Sequence, residues 1–291
     1  MSPRDDTATG LRLYDRTAVG AAASVIRAYS TSFSLATRLL GPRPRPHVRN
    51  VYALVRVADE IVDGPAEEAG LDAAARGAVL DALEQETRDA VARGFSANLV
   101  VHAFALTARE CGIDESLTGP FFASMRTDLT ATAHDDSSHD AYVYGSAEVV
   151  GLMCLAVFEN AGRRRPTPPP AELVAGARAL GRAFQDVNFL RDLDHDAGAL
   201  GRDYLGVDGT RRTRDDVLDR IDDDLALAAG MIPELPSDCR RAVTAAHDLF
   251  AALSEKLRHD RGTERVSVPA RQKAALAARA WWGAEPRGSR R

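Results

Sequence analysis

Helical periodicity runs through almost the whole of this chain and leaves little room for a sheet. Alternating β-branched segments are missing, while the strong helix formers Ala, Leu, Arg and Glu recur throughout. Apolar residues spaced three and four apart predict helices over 17–40, 47–63, 71–93, 96–112, 117–130, 137–161, 170–197, 213–230, 237–258 and 267–281. Gly41-Pro42, Gly64-Pro65, Gly94, Gly119-Pro120 and the run 165-RPTPPP-170 supply the breaks. None of these connections is long enough to separate two domains, and no repeat with a period of about 20–50 residues occurs. The expectation is one all-α bundle over 16–283, with 1–15 and 284–291 as disordered tails.

Composition removes several classes of function. The 291 residues carry a net charge of −5 with both signs interspersed, so no basic surface for nucleic acid is expected. The three cysteines, Cys111, Cys154 and Cys239, are widely spaced and form no CxxC. A disulfide framework and a zinc site are therefore not expected, and a reducing, cytoplasmic compartment fits. The opening MSPRDDTATG has no apolar core, so no signal peptide is read there. The longest apolar run, Val149 to Phe158, has ten residues, which is too short to cross a bilayer.

Two helical segments carry polar stripes that a buried helix does not need. In 184-FQDVNFLRDLDHDAG-198, Gln185, Asn188, Asp192 and Asp196 fall within about 80° on a helical wheel. Phe184, Val187, Phe189, Leu190 and Leu193 fill most of the remainder, interrupted by Asp186, Arg191 and Asp194. In 51-VYALVRVADEIVDG-64, Tyr52, Arg56, Asp59 and Asp63 fall within about 60°, again with apolar flanks, and Glu60 points elsewhere. Like charges four apart mildly destabilise a helix, and facing stripes would repel strongly. Two matching stripes therefore call for divalent cations between them.

The donor set narrows the cation. Carboxylate and amide oxygens suit Mg²⁺, Mn²⁺ or Ca²⁺. No Glu-x-x-His is present for a di-iron bundle, and no EF-hand loop occurs. Mg²⁺ takes few protein carboxylates and completes its shell with water and substrate phosphate. Arg56, Arg191 and Arg202 are near in sequence and suited to phosphate oxygens. A diphosphate with a long hydrocarbon tail, held inside an apolar bundle, is the reading these residues support.

With these motifs in hand, the chain resembles the squalene/phytoene synthase family of head-to-head prenyl transferases. The resemblance covers roughly residues 20–280. It rests on 30-STSFSLA-36 with Tyr52-xxx-Arg56-xx-Asp59-Glu-Ile-Val-Asp63, on 185-QDVNFLRDLDHDAGALGRDYL-205, on 142-YVYGSAEVVGLM-153 and on 265-RVSVPARQKA-274. It implies an isoprenoid synthase helical bundle around a central cavity. It implies that Asp59, Asp63, Asn188, Asp192 and Asp196 hold Mg²⁺, with Mn²⁺ as an alternative. These aspartates, with Arg56, would be the catalytic set. Tyr52, Arg56, Gln185, Arg191 and Arg265 would contact diphosphate or the ionising centre, and Ser32, Phe33, Tyr142, Ala147, Val150 and Gly151 would line the prenyl sites.

The implied reaction joins two prenyl diphosphates through a cyclopropylcarbinyl diphosphate. Phytoene from two geranylgeranyl diphosphates is the leading expectation. A C30 product from farnesyl diphosphate is the alternative, and squalene alone would require NADPH. A non-catalytic assembly-factor relative stands further off, because all five metal positions are intact. Partners beyond the two substrates would be a membrane surface or other isoprenoid-pathway enzymes.

Some positions depart from the family pattern. Glu148 stands where many relatives have a small residue, so it either faces the cavity, faces outward or caps a neighbour. Leu249-Phe250 replace a common Tyr, Gly206 follows Tyr204-Leu205 in place of Pro, and Tyr29 replaces a basic or imidazole side chain. His195 lies off the metal axis, and Asp136-x-x-His139 reads as a helix N-terminus. Trp281-Trp282 beside Arg279 suit either a membrane interface or packing of the last helix.

Overall fold

The computed structural model describes residues 10–129, 136–199, 213–259 and 266–288, with backbone alone at 31–32, 136–138 and 192–199. Among them helices are the only regular elements. They are α1 (Leu11–Tyr29), α2 (Thr31–Arg38), α3 (Pro44–Val62), α4 (Pro65–Glu68), α5 (Ala73–Arg93), α6 (Leu99–Cys111), α7 (Glu115–Asp128) and α8 (Asp136–Val143). A π-helical turn, Tyr144–Glu148, runs into α9 (Val149–Asn160). Then come α10 (Ala171–Ala199), α11 (Arg214–Met231), a 3₁₀ turn (Ile232–Glu234), α12 (Ser237–His259) and α13 (Ala270–Trp281).

Caps explain most boundaries. Asp72 and Asn98 accept the first free N–H groups of α5 and α6, and both helices end on a left-handed glycine, Gly94 and Gly112. Thr213 and Asp216 close a reciprocal capping box on α11. The helix expected over 17–40 is divided at Ser30, whose hydroxyl accepts the Phe33 N–H at 3.0 Å and starts α2. The break expected at Gly119-Pro120 is absent, because both residues lie inside α7. That helix starts at Asp114, which caps Ser116, just after the Gly112 stop.

The expected tails are shorter than the sequence suggests. Residues 11–15 already belong to α1. Tyr14 donates to the Ser96 carbonyl at 2.9 Å, and Asp15 meets buried His102 Nε2 at 2.9 Å. At the other end, the Arg287 N–H donates to buried Asp248 at 2.9 Å.

Two large apolar clusters and a small alanine cluster joining α1, α3 and α6 make the core. The larger gathers α3, α5, α6, α7 and α9 around Leu54, Phe104, Phe121, Phe122 and Met153. The other large cluster gathers α8, α10, α11 and α12 around Val187, Leu218, Ile221, Phe250 and Leu257. Burying each such side chain contributes about 1.5–3 kcal/mol before chain entropy is charged against it. The stretch His139–Asn160 spans 22 helical residues and contains an 18-residue window of mean hydropathy 1.6, so the apolar helix is longer than the ten-residue run suggested. It packs on α3, α7 and α10 and joins the two large clusters, the position of a core helix.

That joint depends on three glycines. A Cβ on Gly145 would overlap the Pro120 carbonyl oxygen and stand 2.9 Å from Ser124 Cβ. One on Gly151 would lie 2.7 Å from the Ala177 carbonyl oxygen, and one on Gly181 would lie 2.7 Å from that of Ala147. Backbone therefore meets backbone from α7 through the π turn to α10. Pro120 sits in mid-helix where its carbonyl has this close neighbour.

Candidate active site

The first stripe stands as the periodicity predicts. Tyr52, Arg56 and Asp59 project from one side of α3, and Asp63 is its C-cap residue, its N–H donating to the Asp59 carbonyl at 2.8 Å. Gly64 follows with φ of 123°, so the helix ends at its last acid. The Arg56 guanidinium lies 4.7 Å over the Tyr29 ring, 4.0 Å from Asp59 and in an ion pair with Glu60. Glu60 is thus tied to the stripe through Arg56. Burial raises the Tyr52 pKa against the opposing pull of Arg56 and of a hydrogen bond to Ser30.

Asp59 carries the electrostatic signature of the site. Burial first, then the neighbouring Asp63 carboxylate, push it up to about 8, with Asp128 and Glu60 adding to the push. Asp128 is a buried acid on α7 that accepts a hydrogen bond from the Tyr142 hydroxyl at 3.1 Å. Sequence patterns gave no reason to choose it, because its link to Asp59 exists only through the packing of α7 on α3. A carboxylate crowded by acids is a poor anion alone and a good ligand for a hard cation. The residues fit Mg²⁺ or Mn²⁺ on that ground.

The second stripe lies along α10. The helix runs unbroken to Ala199, which keeps Gln185, Asn188, Asp192 and Asp196 on one strip of its surface. Gln185, Asn188 and Arg191 are half-buried. The side chains of Asp192, His195 and Asp196 lie outside the described residues, as do Arg202 and Arg265 entirely. Among the described side chains, no three His, Cys, Asp or Glu residues stand together as a metal site.

Two aromatic bridges connect α10 with elements on the side of the first stripe. Phe33, placed by the Ser30 cap, has its ring 6.1 Å from Tyr52 on α3 and 6.4 Å from Phe184 on α10. Tyr142 is bonded to Asp128 on one side and lies 6.0 Å from Phe189 of α10 on the other. Phe184 stacks on Phe250 at 3.7 Å, so the position lacking the common Tyr is filled by an aromatic pair. The Ser32 side chain lies outside the described residues. Ala147 is buried, Val150 half-buried, and Gly151 sits against the α10 backbone.

Glu148 is tied to a neighbouring helix, which fits the reading in which it caps a neighbour. It is 3% exposed and binds two arginines of α10, Arg178 Nε at 2.5 Å and Arg182 Nη1 at 2.9 Å. Arg182 continues to Asp224 on α11 through two bonds of 2.9 and 2.6 Å. Asp136–His139 forms the start of α8, the helix N-terminus the pattern suggests. His139 is buried, 3.6 Å from fully buried Asp186.

The whole-chain pattern is matched elsewhere. The profile described as Squalene/phytoene synthase matches residues 26–272. The chain is a member of the squalene/phytoene synthase family. This is a family of prenyl transferases. Among its relatives, a phytoene synthase of Rhodobacter capsulatus is 32% identical over 87% of this chain and 78% of its own length. Phytoene synthase 3 of Zea mays is 33% identical over 63% of this chain, and the match spans 41% of that longer protein. A dehydrosqualene synthase crystal structure superposes with a TM-score of 0.74 at 23% identity, covering 91% of this chain and 96% of its own. A squalene synthase of Alicyclobacillus acidocaldarius gives 0.70 at 22% identity, covering 85% and 95%. These two similarities establish the squalene synthase fold.

Proposed function

We propose that this family member condenses two geranylgeranyl diphosphates head to head to give phytoene, with Mg²⁺ as cofactor. The observation that carries the C20 reading is the likeness to the Rhodobacter capsulatus phytoene synthase across most of the chain. The aspartates crowding Asp59 support the metal assignment.

Asp59 and Asp63 would hold Mg²⁺ at one diphosphate, and Asn188, Asp192 and Asp196 at the other. When bound, the cation neutralises charge developing on the departing diphosphate and orients it. Arg56 on the first stripe and Arg191 next to the second would meet diphosphate oxygens directly. Loss of the first diphosphate leaves an allylic cation, which the 2,3 double bond of the second substrate attacks. Loss of a proton closes the ring to a cyclopropylcarbinyl diphosphate, and loss of its diphosphate, rearrangement and loss of a second proton give the 1,1′-linked hydrocarbon. The rings of Phe33, Phe184 and Phe250, which pack on one another, and of Phe189 would help keep water from the cation.

The test is an incubation of purified protein and Mg²⁺ with geranylgeranyl or farnesyl diphosphate, with and without NADPH, followed by product identification. Phytoene from the C20 substrate is expected. A hydrocarbon from farnesyl diphosphate alone assigns the C30 reaction instead. No product from either substrate overturns the catalytic reading. Asp192→Ala is expected to abolish turnover with the helical circular dichroism unchanged, and full activity in that variant refutes the metal assignment.

A further inference from the structure

The last helix is amphipathic in an unusual sense, because its solvent side is also apolar. Leu276 and Ala280 of α13 are buried, yet Ala270, Ala274 and Ala278 are exposed beside Trp281. Trp281 is 51% exposed and Trp282, its C-cap residue, 85% exposed. Two adjacent indoles in water cost free energy unless something covers them. α13 also contains three basic residues, Arg271, Lys273 and Arg279, and no acidic one, in a chain of net charge −5. Exposed Arg241 of α12 lies 5.2 Å over the Trp281 ring and adds a further guanidinium to the patch.

The same helices wall an apolar pocket. Steps of four from the Arg241–Trp281 contact lead to Ala245 and Ala277, then to Leu249 and Lys273. All four of these line a small pocket that also touches Phe33 and Phe250. The pocket shares these two rings with the aromatic cluster around Phe184, and one of its walls is the helix that bears the tryptophans.

We propose that α13, with Trp281 and Trp282 as anchors, docks this protein on an anionic lipid surface. Indole rings favour the boundary between headgroups and acyl chains, where the ring is buried and its N–H stays hydrated. Exposed Arg241 against Trp281, and exposed Arg271 in the first turn of the same helix, match the negative charge of such a surface. A second copy of the chain fits less well, because a symmetric contact would bring these guanidinium groups together. Docking here would set the pocket wall against lipid, where a water-insoluble hydrocarbon could leave. That last step rests on the proposed reaction, whereas the docking does not.

The chain has two tryptophans, both in this patch, so intrinsic fluorescence reports on it alone. Purified protein, without substrate, is mixed with vesicles of phosphatidylglycerol and phosphatidylcholine or of phosphatidylcholine alone. A blue shift of emission, quenching by brominated acyl chains and co-sedimentation are expected with the anionic vesicles. Trp281→Ala/Trp282→Ala is expected to lose co-sedimentation while keeping its helical content, and Arg271→Gln to weaken partitioning about fivefold. An unshifted emission with both vesicle types, or equal binding to both, overturns the proposal. So does a lipid-free dimer in sedimentation velocity that the double variant abolishes. Because no turnover is measured, failure here leaves the proposed reaction standing, and an inactive protein that binds vesicles leaves the docking standing.

Discussion

Arg220 Nη2 donates to the Asp186 carboxylate at 2.7 Å, and the aspartate is completely buried between α10 and α11. Asp186 had looked like an interruption of the apolar side of α10. It is instead the internal clamp that fixes that helix, and so the stripe beside it, against α11. Its other oxygen has no hydrogen-bond partner among the described residues, so the ion pair carries the full cost of desolvation. Arg220→Ala is expected to destabilise the fold by about 3 kcal/mol, because it strands a buried charge. Asp186→Leu combined with Arg220→Met should recover most of that loss. Urea unfolding of the three proteins measures it, and a single variant as stable as the parent refutes the clamp.

The helices were legible because each buries one side in a 3.6-residue period, as α3 and α10 show. Expected spans of 47–63 and 170–197 became Pro44–Val62 and Ala171–Ala199. The failures come from a local cap in one case and from tertiary contact in the others. Ser30 looks like one more polar position in a continuous helix until its hydroxyl is seen capping Phe33. Pro120 looks like a stop until Gly145 is seen making room at its carbonyl. The first stripe was legible as a local pattern, whereas Asp128 was not, since only the packing of another helix brings it near Asp59.

Asp59 predicts how the metal-free protein responds to pH. Its carboxyl titrates at about 8 when folded and near 3.8 ordinarily. A carboxyl whose pKa is raised by folding binds its proton more tightly in the folded state. Its penalty is therefore absent below 3.8, grows as pH rises through the window, and is complete above about 8. In the presence of chelator, Tm should fall more steeply across this window for the parent than for Asp59→Asn. Saturating Mg²⁺ should flatten the parent curve. Identical slopes for parent and variant would show that Asp59 is not held near other carboxylates.

The three thiols should be inert in the native protein. Burial pushes Cys111 and Cys154 up to about 12 and raises Cys239 as well, with Asp238 adding to the last. The thiolate is the reactive form, so little of it exists at neutral pH. A disulfide-exchange reagent such as dithionitrobenzoate is expected to label none of them natively and all three in denaturant. Rapid native labelling of any one would place it in a different environment.

Glu148 gives the most informative variant outside the metal stripes. It joins the π turn to α10, and through Arg182 to Asp224 of α11. Gly181 permits this by letting the α10 backbone approach Ala147 and Glu148 closely. Removing the carboxylate in Glu148→Ala leaves Arg182 its Asp224 bonds but takes from Arg178, whose side chain is 44% exposed, its one acidic partner among the described residues. The expected loss is about 1–3 kcal/mol, between that of an exposed and a buried ion pair. Arg178→Ala, on the exposed side, should cost less than about 1 kcal/mol. Because the same turn carries Ala147 and leads directly to Val150, loosening it should raise KM for the prenyl substrate more than it lowers kcat. Glu148→Gln, which keeps an acceptor oxygen for one arginine, should restore much of both. If Glu148→Ala loses stability with KM unchanged, the network supports the fold without shaping the prenyl cavity.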